Sequence, residues 1–274
     1  MKHLGIFNTK AEIENAVKNE LLVNPYIALY SNNTKLDFNK TINYLSIPLT
    51  FEAISSGSLY FYGGSSSTKL TIEYKLNNGS WTSVISSNSG NGTLMASLSA
   101  GDKLYVRGNN SCYYISSQMY KIRDDGNLRY NLSGNMMSLI NSTSFKTLTS
   151  VPANAFNNFF NGNTGLISAK NLQLPATTLG EGCYSGMFFN CSNLIEAPEL
   201  PAPTLSATCY GVMFLFCTSL RYIKCLATDI SAENCTNFWT NGVSSSGTFI
   251  KASGMNLWQT NENGIPSGWT VEEC

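Results

Sequence analysis

Six cysteines in the C-terminal part of the chain have the residue type and spacing that most suggest chemistry. They are Cys183, Cys191, Cys209, Cys217, Cys225 and Cys235. Zinc sites usually hold cysteines two to four residues apart or beside histidines. Cys183 and Cys191 are eight residues apart, with no histidine near them. We therefore expect no metal site and no cofactor. Disulfides between stacked copies remain open, but they require an oxidising compartment, and burial as small apolar side chains is favoured.

The cysteines belong to an internal repeat of 26 residues, in which "LPATTLGEGCYSGMFFNCSNLIEAPE" is followed directly by "LPAPTLSATCYGVMFLFCTSLRYIKC". Each copy keeps a cysteine, a Met-Phe pair, a second cysteine and a leucine. A degenerate copy precedes the pair at Phe159-Phe160, and another follows it, where Trp239-Thr240 replaces Met-Phe. Such fidelity predicts a solenoid, because each coil buries its apolar ladder only when the next coil stacks on it.

Tyr184 and Tyr210 are the candidate ligand-contact residues. Each follows an inward-facing cysteine, so in an extended segment its side chain faces outward. Outward tyrosines repeated on every coil are typical of a ladder that binds sugar or protein. Packing along the solenoid's own face is the alternative.

Catalytic groups are scarce. His3 is the single histidine, and histidine is the commonest general base near neutral pH. Glu52 and Glu73 lie on predicted strands, where charged residues commonly serve solubility. Asp124-Asp125-Gly126-Asn127 resembles a calcium loop but lacks the downstream glutamate, so a turn is favoured. We expect no catalytic residues and no enzymatic activity. A glycosidase would need two converging carboxylates, and Glu181, Glu196 and Glu199 do not repeat as a pair.

The first 45 residues predict a small docking or assembly module. Thr9 to Glu12 fits a helix capping box, and the following residues form an amphipathic helix and a hairpin around Asn32-Asn33. One helix and one hairpin bury too little surface to be stable alone. The candidate anchor residues are Ile13, Val17, Leu21 and Tyr26.

Residues 46–130 alternate apolar and polar positions in six short segments separated by turn residues, among them "KLTIEYKL" and "KLYVRGN". A period of two with turns about every ten residues predicts an antiparallel β-sandwich. The predicted fold class is therefore mainly β. A helix-hairpin anchor precedes the sandwich, and a repeat solenoid with terminal caps follows over residues 131–274.

The charge balance excludes simple electrostatic partners. The chain has 17 basic and 17 acidic residues, so we expect no nucleic-acid binding. No apolar run is long enough to span a bilayer, and the first twenty residues lack the apolar core of a signal peptide. We therefore expect no membrane insertion.

The motifs "LPATTL…CYSGMFFNCSNLIEAPELPAPTL…CYGVMFLFCTSL", with the closing segment to Cys274, resemble the BspA-like leucine-rich repeats of Bacteroidales surface proteins and their phages. "PLTFEAISSGSLYFYGG" and "LSAGDKLYVRGNN" are similar to the β-sandwich that often precedes those repeats. The resemblance covers about Pro48 to Cys274. It implies a solenoid used for adhesion or recognition, not for catalysis.

Because no export signal is recognisable at Met1, we expect a non-enzymatic phage virion protein. It would be a decoration or fibre protein of the head or tail, exposed on the virion exterior, that recognises a host-surface glycan or protein. Its N-terminal module would bind other virion proteins, and fibre proteins are commonly trimeric, so a homotrimer is expected. The alternative is a Bacteroidales cell-surface adhesin or glycan-binding module.

Overall fold

A computed structural model describes residues 29–31, 34–36, 44–64 and 68–274. The chain divides into two compact units, Met1–Asn43 and Tyr44–Cys274. In the first unit, β1 (Leu29–Ser31) and β2 (Thr34–Leu36) pair in antiparallel fashion.

The helix predicted to follow Thr9 lies outside the described residues. The same holds for the candidate anchor residues Ile13, Val17, Leu21 and Tyr26. The helix-hairpin anchor therefore stays a prediction.

The described part of the second unit begins with helical residues 44–46 and continues as strands joined by turns, with two short 3₁₀ helices at Met136–Leu139 and Phe145–Thr147. Its strands are β3 (Leu49–Ala53), β4 (Gly57–Gly63), β5 (Thr71–Leu76), β6 (Thr82–Ile85), β7 (Thr93–Leu98), β8 (Lys103–Gly108), β9 (Tyr114–Ile115), β10 (Gln118–Asp124), β11 (Tyr130–Asn135), β12 (Ser150–Val151), β13 (Leu166–Gln173), β14 (Thr178–Leu179), β15 (Glu196–Leu200), β16 (Tyr222–Cys225), β17 (Thr248–Lys251) and β18 (Thr270–Glu273). The predicted mainly β class is confirmed.

One sheet of ten strands runs through the whole second unit in the order β18-β17-β16-β15-β13-β11-β3-β8-β5-β6. From β6 to β11 neighbouring strands are antiparallel, and from β11 to β18 they are parallel. The change occurs at β11, which is antiparallel to β3 and parallel to β13. The strands before residue 130 and the repeats after it are therefore parts of one hydrogen-bonded sheet.

A second sheet has the order β7-β4-β10-β9. Burial alternates along its strands, as the period-two pattern predicts: Leu59 and Phe61 on β4 are fully buried, and Tyr60 between them is half-buried. On the larger sheet, Leu104 and Val106 of β8 are buried in the same way. All four buried side chains belong to one hydrophobic core.

The C-terminal part is a β-solenoid, and each coil combines one parallel strand with a winding segment that we call the turn ribbon. The ribbon occupies residues 154–162, 182–190, 208–216 and 234–242 of successive coils. In each coil three residues spaced four apart have a positive φ. These residues are Asn154, Asn158 and Gly162; Gly182, Gly186 and Asn190; Thr208, Val212 and Phe216; and Asn234, Phe238 and Gly242.

The ribbon bonds to its neighbours as a strand does, although its backbone is not extended. Alternate N–H groups donate to carbonyls of the next coil, for example from Tyr184 to Cys209 over 3.1 Å and from Phe188 to Met213 over 3.0 Å. The N–H groups between them donate within their own coil. Each coil is therefore joined to the next on two sides, by its strand and by its ribbon.

Left-handed backbone explains the glycine of "CYSGMFF". Gly186 has φ 60°, a region that glycine enters without steric cost. A Cβ at this position would also lie 2.6 Å from Oδ1 of Asn158 in the preceding coil. In the next coil the equivalent residue is Val212, with φ 48°, and a left-handed conformation costs a side-chain-bearing residue about 1–2 kcal/mol.

The inward ladder predicted for the repeats is confirmed. In both regular copies the two cysteines, the Met-Phe pair and the leucine are fully buried. The phenylalanine rings stack from coil to coil, with centroids 5.5 Å apart for Phe160 and Phe188 and 5.7 Å apart for Phe188 and Phe214. Trp239 of the last degenerate copy follows Phe214 at 6.1 Å, and Trp258 stacks on Trp239 in turn at 5.4 Å. Stacking of coils is therefore the physical reason for the faithful repeat.

Candidate functional site

The expected outward orientation of Tyr184 and Tyr210 is wrong. Each side chain is only 1% exposed, and their rings stack on each other at 6.2 Å inside the solenoid. The expectation assumed an extended segment, whereas the turn ribbon directs both Cys183 and Tyr184 inward. In this structure neither tyrosine offers a surface to a ligand.

The six repeat cysteines are buried, and all eight cysteines of the chain are free thiols. Burial raises the pKa of Cys209 and of Cys225 to about 12. Both thiols therefore stay protonated at neutral pH, whereas nucleophiles and metal ligands are thiolates. Among the described residues, no three histidine, cysteine or acidic side chains form a group that could hold a metal ion.

Four carboxylates on the ten-stranded sheet are each paired with a cation of a neighbouring strand. Glu52 lies 3.3 Å from Lys103, and Glu73 lies 2.8 Å from Arg107. In the solenoid, Glu196 pairs with Lys170, and Glu199 pairs with Lys224. Each pair bridges two adjacent strands of the sheet face that points away from the core.

Asp124 and Asp125 form a turn that ties the two sheets together. The Asp124 carboxylate accepts hydrogen bonds from the N–H groups of Gly126 and Gly165, and Asp125 accepts one from Ser58. Burial raises the pKa of the Asp124 carboxyl, although the hydrogen bonds from the N–H groups of Gly165 and Gly126 lower it. The carboxylate oxygens of Asp124 and Asp125 accept hydrogen bonds from backbone N–H groups. The segment therefore serves as a structural joint.

The most distinctive chemistry on the surface is a group of five side chains, Glu73, Lys75, Trp81, Tyr105 and Arg107, which we call the Trp81 cluster. It lies on the outer face of the ten-stranded sheet, at its β5–β6–β8 end. The Arg107 guanidinium lies 4.0 Å from the Trp81 ring centroid, and the Lys75 ammonium lies 4.9 Å from the Tyr105 ring centroid.

Strand register brings the cluster together. Glu73 is opposite Arg107 and Lys75 is opposite Tyr105 in the antiparallel β5–β8 pair. Since alternate residues of a strand share a face, all four point away from the core, whose side is filled by Ile72 and others. The tight turn after β5 then returns the chain so that Trp81 lies on the same face, 5.4 Å from the Lys75 ammonium.

The cluster carries a net positive charge. Arg107 is neutralised by Glu73 at 2.8 Å, but Lys75 is in no ion pair among the described residues. Two aromatic rings hold its ammonium by cation–π attraction, which leaves its hydrogen-bond donors free for a ligand. Such a surface can stack the apolar face of a sugar ring and bind an anionic substituent beside it.

Sequence reasoning placed the strands of this cluster but did not select its residues. The signal was present in "KLTIEYKL" and "KLYVRGN", where the alternation that marks the buried positions also marks Glu73, Lys75, Tyr105 and Arg107 as outward. Which outward residues meet depends on the pairing of β5 with β8, and no local pattern in the sequence encodes that pairing.

Fold and surface together define a mainly β protein with a β-solenoid, whose aromatic and charged groups lie on an open sheet face. No protein-family model, no curated protein and no solved structure matches the chain. No helix of the described part of the chain is long and apolar enough to cross a membrane.

Proposed function

We propose that this protein is a non-enzymatic recognition protein that binds an acidic glycan on a host surface through the Trp81 cluster. The observation that carries the proposal is the position of Lys75, an unpaired cation held between Trp81 and Tyr105 at 5.4 and 4.9 Å from their ring centroids. A sugar carboxylate or sulfate supplies the missing counter-charge. The exposed edges of the aromatic rings supply apolar contact to the sugar carbons.

The setting of the cluster supports recognition. Four of its side chains project from the paired strands β5 and β8, and Trp81 directly precedes β6, so their spacing is fixed before a ligand arrives. The Arg107 guanidinium has two contacts, the Glu73 carboxylate at 2.8 Å and the face of the Trp81 ring. A preorganised surface loses little conformational entropy on binding, and it therefore binds its ligand more tightly.

We further propose that the protein is displayed on the exterior of a phage virion, as a decoration or fibre protein. Residues 1–45 would bind other virion proteins and hold the chain as a homotrimer. The separation of Met1–Asn43 from Tyr44–Cys274 as distinct compact units supports this division of labour. The alternating burial of the two sheets supports a β-sandwich for residues 46–130. The parallel coils are consistent with a BspA-like solenoid after it.

Binding of the full-length protein to chondroitin sulfate and to polygalacturonate, measured by calorimetry, tests the glycan proposal. We expect the variant Trp81→Ala to bind both acidic polymers at least about tenfold more weakly. Tyr62→Ala is the matched control, because Tyr62 also lies under a cation, with Arg123 at 5.0 Å, but on the other sheet. Equal binding by Trp81→Ala and the natural protein would refute the assignment of the site.

The oligomeric state tests the proposed display. Light scattering of the full-length protein should give the mass of a trimer, and a variant lacking residues 1–45 should give that of a monomer. A monomer in both cases would contradict assembly through the N-terminal module. The Bacteroidales surface adhesin would then be the better proposal, with the same glycan site.

A further inference from the structure

The C-terminal end of the solenoid carries a polar cleft that the proposed function does not use. It has a volume of about 260 Å³ and lies between the last turn ribbon and the loop that follows β17. Its lining includes Thr240, Asn241, Ser245, Asn261, Glu262 and Ser267. Hydroxyl and amide groups dominate this lining, with one carboxylate and no lysine or arginine.

The floor of the cleft is rigid. The Thr240 hydroxyl hydrogen-bonds to the carbonyls of Glu262 and Gly264, each over 3.2 Å. The indole N–H of Trp269 donates to the carbonyl of Ser244 over 2.7 Å. By contrast, Asn241, Ser245 and Ser267 make no side-chain hydrogen bond within the described residues, so their polar groups are available to a ligand.

Two exposed phenylalanines lie beside the lining of this cleft: Phe216 next to Gly242, and Phe238 two residues before Thr240. Phe216 is 48% exposed and Phe238 is 41% exposed. The Phe216 ring lies against Gly242 in the cleft lining, since its Cδ1 would be 2.9 Å from a Cβ at that position. The backbone N–H of Phe238 donates to Oδ1 of Asn263, the neighbour of Glu262.

Both phenylalanines occupy left-handed positions, with φ 63° at Phe216 and 49° at Phe238. The equivalent residue is Asn190 in the coil before Phe216, and Gly186 two coils before Phe238. Asparagine and glycine are the residues that this backbone favours. The Phe216 ring is held by an edge contact with Phe189, with centroids 5.8 Å apart, and still has about half of its surface exposed. Side-chain-bearing residues kept in such backbone positions cluster at functional sites.

We propose that the cleft and its two phenylalanines form a second binding site, for an uncharged saccharide. The rings stack against the C–H faces of one or two sugar units, and the hydroxyl and amide groups of the lining bond to the sugar hydroxyls. The lack of cations in the lining disfavours the acidic glycans assigned to the Trp81 cluster. The two sites therefore differ in ligand class, and the second assignment does not depend on the first.

The test uses the full-length protein and the neutral probes maltohexaose, cellohexaose, laminarihexaose and mannohexaose, with binding followed by calorimetry. The decisive variant combines Phe216→Asn and Phe238→Gly, the residue types found at the equivalent positions. We expect it to melt at a higher temperature than the natural protein, because the backbone strain is relieved. We also expect it to bind the recognised probe about thirtyfold more weakly, since two aromatic contacts are lost.

Val212→Gly is the matched control, because it relieves strain in the same ribbon without removing an exposed ring. It should melt higher and bind the probe as the natural protein does. Trp81→Ala should also bind the probe unchanged, which separates this site from the Trp81 cluster. Unchanged binding by the double variant, loss of binding in Trp81→Ala, or no binding of any neutral probe by the natural protein would each overturn the proposal.

Discussion

The buried thiols of the solenoid predict an unusual loss of stability in mild alkali. Burial raises the pKa of Cys209 and of Cys225 to about 12, from the ordinary thiol value of 9.0. An acid whose pKa is higher in the folded state holds its proton more tightly there than in the unfolded chain. Its contribution is therefore complete below pH 9 and is lost as the pH rises from 9 towards 12.

The magnitude follows from proton linkage. At pH 10 the unfolded thiol is ionised and the folded one is not, so each of the two cysteines lowers the free energy of unfolding by about 1.4 kcal/mol. Together they remove about 2.8 kcal/mol. Burial also raises the pKa of Cys183, Cys191 and Cys217, and these thiols act in the same direction.

The assay is urea denaturation at pH 7, 9 and 10, with a phosphine reductant present to keep the thiols reduced. The variant Cys209→Ala/Cys225→Ala should lose about 2.8 kcal/mol less between pH 7 and pH 10 than the natural protein. Lys121, whose pKa burial lowers, titrates in both proteins, so its effect cancels.

Cys274→Ala is the control, because the Cys274 side chain is exposed at the end of the chain. Between pH 7 and pH 10 its free energy of unfolding should change by the same amount as that of the natural protein. If the double variant lost as much stability as the natural protein by pH 10, the thiols would not be the groups responsible. The reasoning from burial would then be refuted.

Three further variants test the packing of the solenoid, each by the midpoint of urea unfolding. Phe188→Ala removes a fully buried ring that stacks on both neighbouring coils and should cost about 3–5 kcal/mol; a loss below 1 kcal/mol would contradict the observed stacking. Gly242→Ala places a Cβ on a residue with φ 75°, 2.9 Å from the Phe216 ring, so we expect the free energy of unfolding to fall by about 1–2 kcal/mol. Unchanged stability would show that the left-handed turn is not required. Lys170→Ala breaks the surface ion pair with Glu196 at 2.8 Å. It should lower the free energy of unfolding by less than about 1 kcal/mol, and this loss should decrease with added salt. A larger loss that does not depend on salt would contradict this prediction.

Much of the fold could be predicted because it is encoded locally. The alternation in residues 46–130 fixes which side chains are buried, and the 26-residue repeat fixes which positions face the solenoid core. Trp239 shows how far this reasoning reaches: its place in a degenerate copy marks it as a ring of the inward ladder, and in the structure it stacks on Tyr210. The stack continues beyond the repeats to Trp258, which no repeat position marks.

The orientation of Tyr184 could not be predicted, because a left-handed residue every four positions has no period-two signature. Glycine and asparagine at Gly182, Gly186 and Asn190 hint at it, but Thr208 in the next coil hides the pattern. The Trp81 cluster depends on long-range pairing of strands, which the sequence encodes only through the complete fold. The local sequence pattern therefore predicted the buried residues, whereas the surface cluster could be identified only from the register of the paired strands.

The uninterrupted ten-stranded sheet has a mechanical consequence. Nine ladders at a spacing of about 4.8 Å make a stack roughly 43 Å long within Tyr44–Cys274. The sheet has no linker at β11, where the strands change direction, so no hinge can absorb a pull between β6 and β18. Tension on a ligand held at either end is therefore shared among the ladders and ribbon bonds, and the unit transmits force as a stiff rod.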